Sequence, residues 1–316
     1  SFVLYSRSYY NYFSENHSFL SDGSGVLYFV PTIYEKYKNA FYKMDPDWAI
    51  IRKITSDQWL MNREVVRFSV SPNGLKVAIL AHRLLSGYYG PKISELWVMD
   101  IDGSNLKLLD SIDPNDMGNP NSLTLRSFIT DGYSYSYYKQ HTMKWSSDNQ
   151  TIAYPVSWWY GTLDYIKGNY GTDAISINIV TGDRIKILSS SVTNTRTISS
   201  PVRNDATAYN YVFKWSPNGE SLAIAQRTES YSFDFWIVGK DGNARKIYSV
   251  QSGFDKSYHK FEWLSDSQLF LQTYYQLVVF DTNGDNATTF SGSNPVVISP
   301  DRRKIGYVAG NKLKIY

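Results

Sequence analysis

Phe213-Lys214-Trp215-Ser216-Pro217-Asn218-Gly219-Glu220-Ser221-Leu222-Ala223-Ile224-Ala225 reads as a short apolar strand, a tight corner and a second apolar strand in direct succession. Pro217 presets a turn, and Asn218-Gly219 tolerates the positive φ that a tight reversal requires. Further on come Phe235-Trp236-Ile237-Val238, an Asp241-Gly242-Asn243 turn and Arg245-Lys246-Ile247-Tyr248. Short β-branched and aromatic runs punctuated in this way describe a four-stranded antiparallel meander.

The corner recurs at Ser21-Asp22-Gly23, Ser71-Pro72-Asn73-Gly74, Ser146-Ser147-Asp148-Asn149, Leu264-Ser265-Asp266-Ser267 and Ser299-Pro300-Asp301-Arg302. An internal period of this length marks a repeat architecture. The chain is expected to be all-β, a single six-bladed β-propeller over residues 1–316 with four-stranded antiparallel blades. The blades fall at about 18–55, 65–110, 142–189, 212–249, 260–291 and 295–316 plus 1–6. The last lacks one strand, and Phe2-Val3-Leu4-Tyr5, an apolar run before blade 1, is expected to supply it, so that residues 2–6 close the ring. Trp145, Trp215 and Trp263 occupy one repeat position, with Val70 and Ile298, and are expected to pack between neighbouring blades rather than to form a site.

The combination of a Ser-Pro-Asn-Gly corner, a Val77-Ala78-Ile79 or Leu222-Ala223-Ile224 strand, Leu96-Trp97-Val98 and an Asp102-Gly103 turn resembles the WD40-like repeat of TolB-type six-bladed β-propellers. The likeness is strongest over Ser71–Gly103 and Ser216–Gly242. It implies the fold and assigns no chemistry. Against the pattern of that family, the chain is expected to lack the extra N-terminal domain of TolB. Related propellers cover the hydrolase domain of prolyl oligopeptidases, for which this length is expected to leave no room.

Composition narrows the function classes. Lys and Arg exceed Asp and Glu by only 32 − 29 = 3, with no long basic run, so a nucleic-acid partner is not expected. There is no cysteine, hence no disulfide and no thiolate chemistry. No run reaches the roughly 18–20 apolar residues of a spanning helix; Leu269–Phe280 is interrupted by Gln272, Thr273 and Gln276. The outlier is aromatic content, 27 Tyr and 9 Trp, which suits an envelope or secreted protein; the start at Ser1-Phe2-Val3 leaves open whether a signal or anchor was removed or omitted. Asn16, Asn149 and Asn286 stand in glycosylation triplets at a frequency that a Ser- and Asn-rich chain produces by chance.

The connections carry the functional signal. Every first-to-second and third-to-fourth strand turn is short, whereas the insertions Pro31–Asn39, Arg83–Ser94, Asp110–Thr142, Pro155–Asp173, Ser189–Val212 and Thr228–Asp234 belong to the opposite end of the blades. Binding residues concentrate on such segments. The candidate contact residues are Tyr88, Tyr89, Tyr135, Tyr137, Tyr138, Trp158, Trp159, Tyr160, Tyr165 and Tyr231. Tyr and Trp combine large contact area with a polar edge, which suits a protein partner or neighbouring subunit, with a glycan as the alternative.

No catalytic motif is present. There is no Gly-x-Ser-x-Gly, and His17, His82, His141 and His259 stand at no ligand spacing, although His82 and His141 belong to the same end. Asp281-Thr282-Asn283-Gly284-Asp285 imitates a calcium loop but has Asn286 and Gly292 where Gly and Glu are needed, so it is read as a turn. The chain is therefore expected to be a non-catalytic interaction module with no cofactor and no metal. The alternative is a glycan-processing hydrolase using carboxylates such as Asp131, Asp164, Asp173, Glu229 or Asp234.

Overall fold

The computed structural model describes residues 17–30, 40–47, 50–84, 92–112, 122–128, 143–162, 168–194, 211–227, 233–250, 260–272, 276–285, 287–291, 293–299, 301, 304–309 and 312–316. Among them the chain is all-β apart from one helical turn, and it divides into two compact units.

The first unit carries two antiparallel meanders. One is β1 (His17–Phe19), β2 (Val26–Val30), β3 (Ala40–Met44) and β4 (Ile51–Lys53). A short helix, α1 (Asp57–Leu60), follows, with Ser56 at its N-cap accepting from the Trp59 N–H at 3.2 Å. The second meander is β5 (Arg63–Val70), β6 (Lys76–Leu84), β7 (Lys92–Asp100) and β8 (Lys107–Ile112). Leu27, Phe29 and Phe41 of the first sheet share a core with Val65, Val77, Ile79 and Met99 of the second, and α1 contributes Trp59 and Leu60.

The second unit holds four sheets. The third in chain order contains β9 (Ser122–Phe128), β10 (Lys144–Trp145), β11 (Thr151–Thr162), β12 (Gly168–Asn178) and β13 (Arg184–Asn194). The fourth contains β14 (Tyr211–Trp215), β15 (Ser221–Arg227), β16 (Phe233–Gly239) and β17 (Ala244–Val250). The fifth contains β18 (Lys260–Trp263), β19 (Gln268–Gln272), β20 (Gln276–Asp281) and β21 (Thr288–Ser291). The sixth contains β22 (Ser293–Ile298), β23 (Ile305–Ala309) and β24 (Lys312–Ile315).

Stacking explains the continuous apolar runs that the repeat shows. On β15, Leu222 and Ile224 enter a core with Ala153, Ala174 and Ile187 of the third sheet, while Ala223 and Ala225 enter a core with Phe261, Trp263 and Leu269 of the fifth. On β20, Val278 and Phe280 face the fourth sheet, and Leu277 and Val279 pack with Ile305 and Tyr307 of the sixth. A strand buried on both faces has no polar side to alternate with.

The corners are hydrogen-bond devices. The buried Ser216 hydroxyl donates to Asn218 Oδ1 at 2.7 Å and accepts from the Ser221 N–H at 3.0 Å, while Asn218 Oδ1 also accepts from the Glu220 N–H at 3.0 Å. Ser71 and Asn73 repeat this arrangement, and Ser299 with Asp301 repeats its core. Ser and Asx thus satisfy the turn's own polar groups, as a buried corner requires. Asn218 N–H further donates to Asp266 Oδ1 in the next corner at 2.9 Å. The tryptophan column behaves as expected between adjacent sheets: Trp215 Nε1 donates to the Lys144 carbonyl at 3.1 Å and Trp263 Nε1 to the Lys214 carbonyl at 2.7 Å.

The third sheet departs from expectation. Pro155–Asp173 is not an irregular loop: β11 and β12 continue as one antiparallel ribbon from Thr151↔Asn178 to Gly161↔Gly168. β9, inside the expected 110–142 connection, adds a fifth strand along β11, with Val156↔Phe128 to Thr162↔Ser122. Thr151–Thr162 is rich in β-branched and aromatic residues, and Leu123 and Leu125 alternate with polar neighbours in β9, which favours pairing over a coil. Pro155, with no N–H to offer, stands where β10 has ended and β9 has not begun. Similarly β6 runs to Leu84 and β7 starts at Lys92, so both ends of the expected Arg83–Ser94 insertion are paired strand, while residues 85–91 lie outside the described residues.

Candidate functional site

Meander topology places the connections between second and third strands at one end of each sheet and the Ser-Asx corners at the other. In the third sheet the Ser146–Asn149 corner is a tight turn, with the Asn149 N–H donating to the Ser146 carbonyl at 3.1 Å, whereas the opposite end is extended by the ribbon of β11, β12, β13 and β9. Of the ten candidate contact residues, Tyr88, Tyr89, Tyr135, Tyr137, Tyr138, Tyr165 and Tyr231 lie outside the described residues, as do Phe2–Tyr5, His141, Asp131, Asp164 and Glu229. Trp158, Trp159 and Tyr160 are placed by their backbone in β11, paired with Gly171, Tyr170 and Asn169 on one side and with Arg126, Leu125 and Thr124 on the other. They are strand positions, not loop positions. Asp281–Asp285 forms a tight turn, with the Gly284 N–H donating to the Asp281 carbonyl at 2.8 Å.

The second sheet holds a polar cluster that sequence reading passed over. Glu95, in the middle of β7, is 2% exposed. Its Oε2 accepts from Arg63 Nε at 2.7 Å and from Trp97 Nε1 at 2.8 Å, and its Oε1 accepts from Arg83 Nε at 2.7 Å. Register explains the meeting: Arg63 pairs with Arg83 across β5 and β6, and Ala81, two residues before Arg83, pairs with Glu95. The three side chains therefore share one face of the sheet. Arg63 is fixed again by donation from Nη1 to the Trp59 carbonyl at 2.9 Å, and its guanidinium lies 5.7 Å from the Trp59 ring centroid and 5.0 Å from that of Trp97. The two indoles meet edge-on at 5.6 Å. Burial pushes the Glu95 carboxyl up, but the donors from Arg63, Trp97 and Arg83 outweigh it and hold the group below its ordinary value. His82, on the other face of β6, has Nδ1 3.2 Å from Ser94 Oγ. The available signal was an acidic residue inside Ile93-Ser94-Glu95-Leu96-Trp97-Val98-Met99, a run otherwise suited to burial.

Four-stranded meanders stacked through shared cores define a propeller-like all-β protein. No protein-family model matches the sequence, and no curated protein does. Among solved structures, the chain resembles prolyl oligopeptidase B from Galerina marginata bound to a 25mer macrocyclization substrate, at 14% identity and a TM-score of 0.54, over 96% of this chain and 42% of that one. It also matches the putative TolB from Agrobacterium tumefaciens, at 15% identity and a TM-score of 0.39, over 87% and 79% of the two chains. An acylaminoacyl peptidase from Pyrococcus horikoshii matches at 12% identity and a TM-score of 0.45, over 93% and 41%. The chain spans less than half the length of the peptidases it resembles. These likenesses concern the fold. They correct one expectation nonetheless: the resemblance with a TM-score above one half is to an enzyme, so the exclusion of enzyme function drawn from missing motifs does not hold. Motif absence in one stretch of chain carries no weight when chains of this architecture form part of longer enzymes.

Proposed function

We propose that this chain is a TolB-type six-bladed propeller that binds a protein partner at the cell envelope or outside the cell, through the aromatic end of its blades. The observation that carries the reading is the ribbon of β11, β12, β13 and β9, which extends one end of the third sheet while the corner end stays minimal. The residues proposed for contact are Trp158, Trp159 and Tyr160 at strand positions of that ribbon, and Tyr88, Tyr89, Tyr135, Tyr137, Tyr138, Tyr165 and Tyr231 from the sequence insertions. High Tyr and Trp content at low net charge supports an envelope or extracellular setting.

Replacing Trp158 and Trp159 together with Ala is expected to abolish capture of the partner from a native envelope fraction while leaving the melting curve in place. Retained capture by a folded variant overturns the reading, and saturable binding on a glycan array would replace the protein partner with a carbohydrate.

Closure of the ring by Phe2–Tyr5 on β24 belongs to the same proposal. The sixth sheet has three strands among the described residues, β22, β23 and β24, one fewer than the four-stranded meanders. A strand paired to β24 would give the sixth sheet the four strands of the other meanders and supply partners for the outer backbone groups of β24. Deleting Ser1–Ser8 is expected to lower the melting temperature by many degrees; an unchanged curve removes closure from the proposal.

A further inference from the structure

We propose that Arg83, held by Glu95 beside the stacked Trp59, Arg63 and Trp97, is the anchor of a carboxylate-binding site at the aromatic end of the second sheet. The inference rests on the reading that this end of the blades receives a protein partner, and it adds the chemistry of recognition: an acidic side chain or a chain terminus.

Charge is unbalanced in the cluster. Among the described residues two guanidinium groups share one carboxylate, which leaves one positive charge in excess. Arg83 spends only Nε on Glu95, and among the described residues its two terminal nitrogens meet no acceptor. Its side chain is 40% exposed, against 18% for Arg63, so the excess charge faces outward at Arg83. A guanidinium tethered through Nε keeps its terminal pair for a second, forked carboxylate, the geometry that arginine favours. Tethering also means that little side-chain freedom remains to be lost when a ligand arrives.

Trp59, whose ring lies against the Arg63 guanidinium, is buried, and among the described residues its Nε1–H has no hydrogen-bond partner, so its indole signal is a sensitive reporter of any rearrangement of the cluster. Arg83 is also the penultimate residue of β6, beside the departure of segment 85–91, which carries Tyr88 and Tyr89. Within this site Glu95 is a positioning residue, and Arg83 is the group that touches the ligand.

The test uses the intact protein and four probes: Ac-Ala-Ala-Glu-Ala-Ala-NH2, Ac-Ala-Ala-Ala-Ala-Ala-OH, Ac-Ala-Ala-Gln-Ala-Ala-NH2 and inorganic phosphate. Proton–nitrogen NMR follows the arginine Nε–H and tryptophan indole N–H signals, with Trp59 identified through Trp59→Phe. Saturable shifts of the Arg83 and Trp59 signals are expected with at least one carboxylate peptide and not with the Gln peptide; the glutamate and free-terminus arms tell the two sources apart. Arg83→Gln is expected to weaken binding at least tenfold, and Arg83→Lys, which keeps the charge and loses the fork, by an intermediate factor. A clamp with only a structural role would move none of these signals. The proposal is overturned if neither carboxylate peptide shifts the two signals, if phosphate alone does, or if a folded Arg83→Gln or Arg83→Lys binds as the parent does. Because no native partner is used, failure here leaves the ribbon reading standing, whereas failed envelope capture beside positive peptide shifts removes the partner reading and keeps only the carboxylate-binding chemistry of Arg83.

Discussion

Gly103→Ala is expected to destabilise the first unit by about 2–5 kcal/mol and to lower its melting temperature by roughly 10 °C or more. Gly103 closes the turn between β7 and β8 at φ +89°, with its N–H donating to the Asp100 carbonyl at 2.9 Å. A Cβ at this position would stand 1.8 Å from the Ile54 carbonyl oxygen and 2.8 Å from the Ile54 carbonyl carbon, both backbone atoms at the end of the neighbouring sheet. Backbone cannot swing aside as a flexible side chain would, so the strain of a positive φ, about 1–2 kcal/mol, adds to the displacement of one sheet against its neighbour. Gly182 is the internal control. It holds φ +82° in the equivalent turn of the third sheet, but a Cβ there meets nothing within 4 Å. Gly182→Ala should therefore show the conformational cost alone. Thermal denaturation followed by circular dichroism measures both, and equal losses would show that Gly103 is not kept for close approach.

Glu95→Gln is expected to cost about 1–3 kcal/mol, the cost of breaking hydrogen bonds to a buried group, because the two arginines left behind are partly exposed and can be rehydrated. The amide keeps the volume but replaces an acceptor oxygen with a donor that faces Arg63 or Arg83, and it removes the charge that both arginines share. The pH dependence follows from the lowered carboxyl. A carboxylate depressed on folding contributes its stability in full above the ordinary glutamate range and loses it as the pH falls through the folded value. The parent should thus show an acid-induced loss of stability that Glu95→Gln lacks. Chemical denaturation at neutral pH and at successively lower pH values measures this, and parallel curves for the two proteins would remove Glu95 from the account.

Much of the fold was legible because its signals are local. Ser216, Asn218 and Gly219 reach across at most five residues to satisfy one corner, so the motif and its hydrogen bonds are nearly the same statement. The Leu222–Ala225 run was equally plain, since strands covered on both faces must be apolar throughout. The third-sheet ribbon was misread as a loop. Pro155, Gly161 and Gly168 are turn formers by composition, and only pairing partners on both sides of β11 make Thr151–Thr162 one strand. The aromatic residues of the candidate site were found by counting what exceeds a minimal blade, a procedure that locates an end of the fold without assigning contacts.

By itself the sequence determined the strands and the corners between them, because each corner depends on residues a few positions apart. Tertiary structure alone decided that Glu95 meets Arg83, 12 residues away, and Arg63, 32 residues away, on one face of the second sheet. The physical reason is register: which side chains share a sheet face is set by how three strands align, and a slip of one residue would send them to opposite faces.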